Sequence, residues 1–351
     1  MLPSPRPCRP ARALLPPYLL DRLIHLGSPH VRASAADTLG LDGAPGSLRQ
    51  TAQARAFAAP ALRPAQAAPR YVHTADRGTA LPGKLVRAEG QPATGDDAAD
   101  EAYAYLGATR ALFAEVYGRN SIDGSGMALV GTVHYGVHYD NAFWNGEQMV
   151  FGDGDGEVFN RFTIAMEVVA HELAHGIIDH EAALVYQGQA GALNESISDV
   201  FGVMVKQYHL RQTAAQADWL VGVGLFTDAV QARALRSMAA PGTAYDDPVL
   251  GRDPQPDHMR DFVHTQDDNG GVHINSGIPN RAFYLAAQAL GGHAWEAAGR
   301  VWYDALCDPS LSREADFPTF AGLTLRHAAD AGNSAMEAVR DAWQTVGVVP
   351  S

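Results

Sequence analysis

Val168-Val169-Ala170-His171-Glu172-Leu173-Ala174-His175-Gly176 is the stretch on which the fold turns. Two histidines four apart on a helix differ by about 40° in azimuth, so both imidazoles project from one face and can reach a single metal ion. Glu172 lies about 100° round from His171. Its carboxylate therefore stands beside such a metal rather than on it, placed to take a proton from an activated water. An HExxH pattern with three fixed positions also arises by chance, so the rest of the chain has to decide.

A catalytic zinc wants three protein ligands and one open position. Gly191-Ala192-Leu193-Asn194-Glu195-Ser196-Ile197-Ser198-Asp199 offers the third: Glu195 is 24 residues beyond His171, far enough to ride on the next helix. Glu195 and Asp199 share a face. Antiparallel packing would bring Glu195 to the metal and Asp199 alongside His171, whose spare ring proton it accepts; Asn194 can do the same for His175. Taken singly, each acid reads as part of a solvated helix face. A further cluster, Asp267-Asp268-Asn269-Gly270-Gly271-Val272-His273, sets a histidine after a Gly-Gly turn at a helix entrance, where it can donate to developing negative charge. Asp268 is placed to hold its other nitrogen, although the cluster alone is only a polar loop.

Around these motifs the chain is mixed first and helical afterwards, an α+β layout with the metal helix at the junction. The spacing predicts a helix over Ala98 to Tyr117, strands over Val130 to Tyr139 and Gln148 to Phe151, and turns at Asn145-Gly146 and 152–156. Asp153, Asp155 and Glu157 suggest a calcium loop, but its twelfth position is Ile164, so a turn is expected. Thr163 or Asn160 is available to cap the metal helix. Later helices are expected over Gly191 to Leu210, Ile278 to Gly291, His293 to Cys307, Phe317 to Asp330 and Ser334 to Gly347. Residues 1–70 are rich in Pro, Ala and Arg, with one apolar island at Leu14-Leu15-Pro16-Pro17-Tyr18-Leu19-Leu20 running on to Leu23 and Ile24. Gly40 to Gly46 and Ala58 to Pro69 read as turns and linker.

Among the 351 residues, the only cysteines are Cys8 and Cys307, so neither a disulfide scaffold nor a CxxC metal knuckle exists. No run approaches the ~18 apolar residues of a membrane span. Pro16-Pro17 and Asp21-Arg22 break the apolar stretch that a secretory signal would need, so cytoplasmic synthesis is expected, with any export by a non-classical route. Residues 1–60 carry seven arginines and three aspartates, a net +4 that leaves −17 on the remainder. A basic head thus faces an acidic body and can dock on it; an acidic body without a basic stripe excludes nucleic acid.

At this point the sequence resembles the thermolysin family of zinc metallopeptidases, from about Tyr71 to the C-terminus. HELAH at 171–175, GALNESISDVFG at 191–202, NAFWNG at 141–146 and DNGGVHINSGIPN at 268–280 occur together in the family's order and spacing. The resemblance implies His171, His175 and Glu195 as zinc ligands and Glu172 as general base. It implies His273 and Tyr186 as donors to the oxyanion, with Asp268 orienting His273. Asn141, the Ala142 backbone and Arg236 become contacts to the substrate backbone, and Phe159, Phe162, Val168, Val221, Leu225 and Leu235 line the pocket for the residue after the scissile bond. Asp199 and Asn194 keep their supporting roles. An apolar pocket beside Arg236 implies a neutral endopeptidase that cuts before bulky hydrophobic residues. The implied fold has a β-rich N-terminal domain, a helical C-terminal domain and a cleft floored by the metal helix. The divisions expected are 1–60, a prosegment; 61–185, the first catalytic domain; and 186–351, the second.

Two departures stand out. Where relatives hold paired calcium ions, this chain keeps Glu167 and Asp218 but has Lys206, Leu220 and Val223 at other acidic positions, too few oxygens for calcium. A Lys206 ammonium between Glu167 and Asp218 would replace the cation. The leader is short, as in the protealysin-like branch, and is expected to cover the cleft of a zymogen as an intramolecular inhibitor. Cys8 reads as a free thiol rather than a latency ligand, and Cys307 as core. The expected partners are peptide or protein substrates and the leader itself, with no nucleic acid, no membrane and a monomeric chain. A metallopeptidase fold without turnover is the competing reading, but every catalytic position is filled. A different hydrolase chemistry lacks its GxSxG elbow or phosphate loop.

Overall fold

The computed structural model describes residues 12–43 and 67–351. Cys8 and most of the expected linkers lie outside the described residues. Strands β1 (Arg12–Ala13), β2 (Arg70–Thr74), β3 (Lys84–Ala88), β4 (Leu129–Val133), β5 (Ala142–Trp144) and β6 (Met149–Phe151) form one sheet in the order β1-β5-β6-β4-β2-β3. The β2/β4 and β4/β6 pairs are parallel and the others antiparallel. One edge strand is therefore β1, from the N-terminal segment, with Arg12 opposite Trp144 and Ala13 opposite Phe143; the other is β3.

The strand expected over Val130 to Tyr139 stops at Val133. His134, Gly136 and His138 take φ of 55°, 69° and 51°. His134 is pinned there by its own ring, whose two nitrogens lie 2.7 Å from Asp153 and 2.8 Å from Asp96. Asp155 Oδ1 accepts from the backbone of Glu157, Val158 and Phe159, closing the neighbouring turn.

Helix α3 (Asp97–Tyr117) is capped by Asp96, which accepts from Ala99 N, and ends at Gly118 in the left-handed region. Helix α4 (Met166–Glu181) carries the two motif histidines and is buried from Met166 to Ile178. Its cap position is Ala165, with no side-chain bond, which corrects the expectation of Thr163 or Asn160. Both residues have other partners: Thr163 donates to Glu101, and Asn160 donates to the carbonyls of Gly224 and Phe226. Helix α5 (Gly188–Leu210) returns against α4. At Gly202 a Cβ would stand 2.7 Å from the Glu167 carbonyl oxygen, so only glycine admits this close approach. Each fully buried aliphatic side chain at the contact, such as Val169, Ile177 or Val200, contributes about 1.5–3 kcal/mol.

The remainder is mainly helical: α6 (Asp268–Asn275), α7 (Gly277–Leu290), α8 (Ala298–Leu306), α9 (Phe317–Asp330) and α10 (Asn333–Thr345). They pack round Phe283, Trp302, Phe320 and Trp343, all fully buried. The helix expected from His293 starts instead at Ala298, because His293 stacks on Trp295 and bonds to the Gln212 carbonyl. Cys307 is half-buried at the end of α8.

Two further helices precede the sheet's second strand: α1 (Pro17–Leu26) buries Leu19, Leu20 and Leu23, and α2 (Pro29–Asp42) buries Val31, Ser34, Ala35 and Thr38. The turn expected from Gly40 is thus helix as far as Asp42. Both helices begin on a proline at the first position, where its missing N–H has no intrahelical partner to lose.

Candidate active site

The packing of α5 on α4 brings His171 Nε2 within 3.4 Å of Glu195 Oε2 and His175 Nε2 within 3.5 Å of Glu195 Oε1. Among the described residues His171, His175 and Glu195 form the one metal-capable group, their ligand atoms within 4.8 Å of one another. His171 Nε2, His175 Nε2, Glu195 Oε2 and both Glu172 oxygens are buried without a hydrogen-bond partner. Buried polar atoms are normally paired, and five orphans converging in one place fit a divalent cation and a reacting group. Two imidazoles and a carboxylate are a donor set for zinc.

Outer contacts fix each ligand. His171 Nδ1 lies 2.9 Å from Asp199, and His175 Nδ1 lies 2.8 Å from Asn194 and 3.0 Å from the Ser198 hydroxyl. Asp199 also accepts from Arg236 Nε and Nη2, both at 2.8 Å, and from Asn280 at 2.9 Å. Burial pulls Asp199 upward, but Arg236 and His171 together outweigh it and hold the carboxyl at about 2. Burial lowers both histidines. Asp199 and Glu195 more than reverse this at His171, held at about 9, whereas His175, facing an amide, is pushed down to about 3. Burial raises Glu172 above the ordinary glutamate range.

The donors expected for an oxyanion also meet here. Asn269, Gly270 and Gly271 take left-handed φ of 51°, 82° and 74° inside α6. This turn carries Asp268 back against His273, whose Nδ1 lies 2.6 Å from Asp268 Oδ1 while its backbone N donates to Oδ2. Tyr186 OH is 3.2 Å from His273 Nε2 and donates to Glu195.

Across this cluster lies the N-terminal segment. His273 Nε2 is 2.9 Å from the Ala13 carbonyl oxygen. Leu14 N donates to Ala142 O at 2.9 Å, and Arg236 Nη1 donates to Leu14 O at 3.4 Å. Asn141 accepts from Leu15 N at 2.8 Å and donates to Leu15 O at 3.4 Å. The Leu14 side chain is fully buried; Phe159, Phe162, Val168, Val221, Leu225 and Leu235 are buried too, all within the one large core that runs through the protein. The Ala13 carbonyl is thereby held on His273, and the backbone of Leu14 and Leu15 on Ala142, Arg236 and Asn141. Helix α2 completes the cover: Ser34 donates to Asp140, Tyr139 donates to Asp42, and Asn141 donates to Asp42 at 3.0 Å.

Sequence reasoning did not find Ser198, Asn280, Asp42 or Arg12 as parts of the site. Ser198 and Asn280 stood inside motifs already quoted, one residue before Asp199 and at the end of DNGGVHINSGIPN. Arg12 and Asp42 carried no signal of their own.

Comparison with known proteins agrees with this geometry. Residues 64–179 match the thermolysin metallopeptidase catalytic domain and residues 182–348 its alpha-helical domain. An extracellular metalloprotease of Pectobacterium carotovorum subsp. carotovorum is 58% identical over 341 residues, covering 97% of each chain. Protease PrtS of Photorhabdus sp. (strain Az29) is 53% identical over 80% of this chain and 76% of its own. Among solved structures, the precursor of protealysin, a metalloproteinase from Serratia proteamaculans, superposes with a TM-score of 0.89 at 54% identity, covering 97% of this chain and 100% of its own.

These relatives correct one expectation. The expectation of cytoplasmic synthesis, with any export by a non-classical route, does not stand against similar proteins that are named extracellular metalloproteases. The broken apolar stretch at 13–20 that argued otherwise is instead the piece lying in the cleft, where Leu14 and Leu15 are buried against the body. No helix among the described residues is long and apolar enough to cross a membrane. The chain belongs to the thermolysin family of metallopeptidases: it is a zinc-dependent endopeptidase made as a zymogen, with its own N-terminal segment lying across its cleft.

Proposed function

We propose that the enzyme cleaves peptides on the N-terminal side of bulky hydrophobic residues and that residues 1–60 inhibit it until they are removed. The observation that carries this reading is the Ala13–Leu14 bond, its carbonyl on His273 and its leucine buried, beside the orphaned atoms of His171, His175, Glu195 and Glu172. Residues 61–185 and 186–351 are read as the two catalytic domains. His171, His175 and Glu195 would hold one zinc ion, which when bound supplies Lewis acidity and lowers the pKa of a water.

The protein's own residues do the rest. Glu172 takes the proton as water attacks the carbonyl carbon and delivers it to the amine as the C–N bond breaks. His273 and Tyr186 donate to the oxygen that gains charge, with Asp268 steadying His273. Asn141, Ala142 O and Arg236 hold the backbone on the far side of the bond, and the six apolar residues receive the side chain. The test is hydrolysis of Ala-Leu and Ala-Asp peptides by leader-free enzyme, with and without a zinc chelator. Cleavage before Leu, lost on chelation and restored by zinc, is expected. Equal rates on both peptides would sink the specificity reading.

For calcium we propose that Lys206 has taken the cation's place. Its Nζ lies 2.9 Å from Asp218 and 3.5 Å from Glu167, and Glu167 also accepts from Gly222 N and Val223 N. Calcium chelation at fixed zinc is expected to leave the melting temperature unchanged. Lys206→Met, which leaves buried Glu167 without its cation, should cost about 1–2 kcal/mol, below a fully buried pair because Asp218 is half-exposed. A large fall in melting temperature on chelation would refute the exchange.

A further inference from the structure

The leader crosses the cleft in the manner of a substrate, so the residue before Ala13 reports a subsite that the zinc cluster and the apolar pocket do not explain. Arg12 is 5% exposed, unusual for an arginine in a segment that has to leave. Its Nη2 lies 2.6 Å from Asp179 Oδ1, its Nη1 donates to the His175 carbonyl at 3.5 Å, and its guanidinium stands 5.4 Å from the centre of the Tyr186 ring. Asp179 sits on α4 one turn beyond His175, and its side chain is 19% exposed. A carboxylate, a carbonyl and an aromatic face around one planar cation make a guanidinium subsite.

We infer that Asp179 selects peptides with arginine two residues before the scissile bond, so that the substrate class is Arg-X followed by a bulky hydrophobic residue. The inference rests on the peptidase reading above, because the register is set by Ala13 O on His273. The backbone geometry fixes it: β1 pairs with β5 at Arg12 and Ala13, so any strand held by the same bonds presents its own residue at this place to Asp179. The Arg12 contact is also more than a surface pair. With the guanidinium almost wholly out of water, coupling across a short charged contact is worth far more than at an exposed site.

The test compares three peptides, Arg-Ala-Leu-Leu, Ala-Ala-Leu-Leu and Glu-Ala-Leu-Leu, on zinc-loaded, leader-free enzyme. Arginine is expected to exceed alanine in kcat/KM by about ten- to a hundredfold, with glutamate lowest. Asp179→Lys should reverse the order of Arg and Glu. The ratio is read within one protein, so lost activity cancels; if that variant does not fold, Asp179→Asn should bring the Arg/Ala ratio close to one. Fluorescence anisotropy with the Glu172→Gln enzyme gives the same ranking without turnover. If none of the three peptides is cleaved, the peptidase reading fails. If all three are cleaved and they turn over and bind alike, Arg12 and Asp179 are only a latch for the leader, and the inference is overturned.

Discussion

Glu172→Gln is expected to lower kcat on a leucine peptide by about 10³-fold, within the 10²–10⁴ that a positioned acid–base group supplies. Gln has the same shape but cannot take the proton. Because both Glu172 oxygens are buried without partners, the amide relieves a desolvated carboxylate, and the variant should be no less stable than the parent. Zinc should remain at one ion per chain, since His171, His175 and Glu195 are untouched. Activity within tenfold of the parent, in folded and zinc-loaded protein, would remove Glu172 from the proton-transfer role. Loss of zinc with the activity would make it a structural residue instead.

The second large effect is on latency. Leu14→Asp in the full chain should unseat the leader, which is measured as peptide hydrolysis before any leader is cut. The substitution forfeits about 1.5–3 kcal/mol of apolar burial at a fully buried position and adds the cost of placing a carboxylate in an apolar pocket. A combined penalty of at least about 4 kcal/mol corresponds to roughly a thousandfold more open enzyme. Leu14→Met, of similar volume, should remain shut. If the aspartate variant folds and stays as latent as the parent, Leu14 is not what closes the pocket.

Much of this was legible in the chain because periodicity and motif reinforced one another. Helices α3, α4 and α5 have long buried faces, and Glu195 and Asp199 were placed by helix geometry alone. Where local signals met tertiary competition, the reading failed. Thr163 and Asn160 are ordinary caps by type, yet Glu101 and the Gly224 carbonyl took their polar atoms. Val130 to Tyr139 alternates like a strand, but His134 bridges two aspartates and turns the chain away. Helix α2 was hidden for a different reason: its buried face is made of small residues, with Ser34 and Thr38 bonded to Asp140, so it has little of the apolar stripe that announces a helix. Arg12 was one of seven arginines in the head, and nothing local separated it from the rest.

The contact between Asp42 and Asn141 bears on timing. The last turn of α2 touches the same side chain that grips Leu15, so the segment is held on the body at both ends, by Arg12 to Leu15 and by Asp42, before position 44 is reached. Cutting the chain beyond that point breaks a tether without breaking a single one of these bonds. What it removes is effective concentration: a covalently attached leader rebinds at the same rate however dilute the solution, whereas a severed one must find the cleft again by diffusion. Severance and switching on are therefore separate events, and the second is governed by how much volume the freed peptide has to escape into.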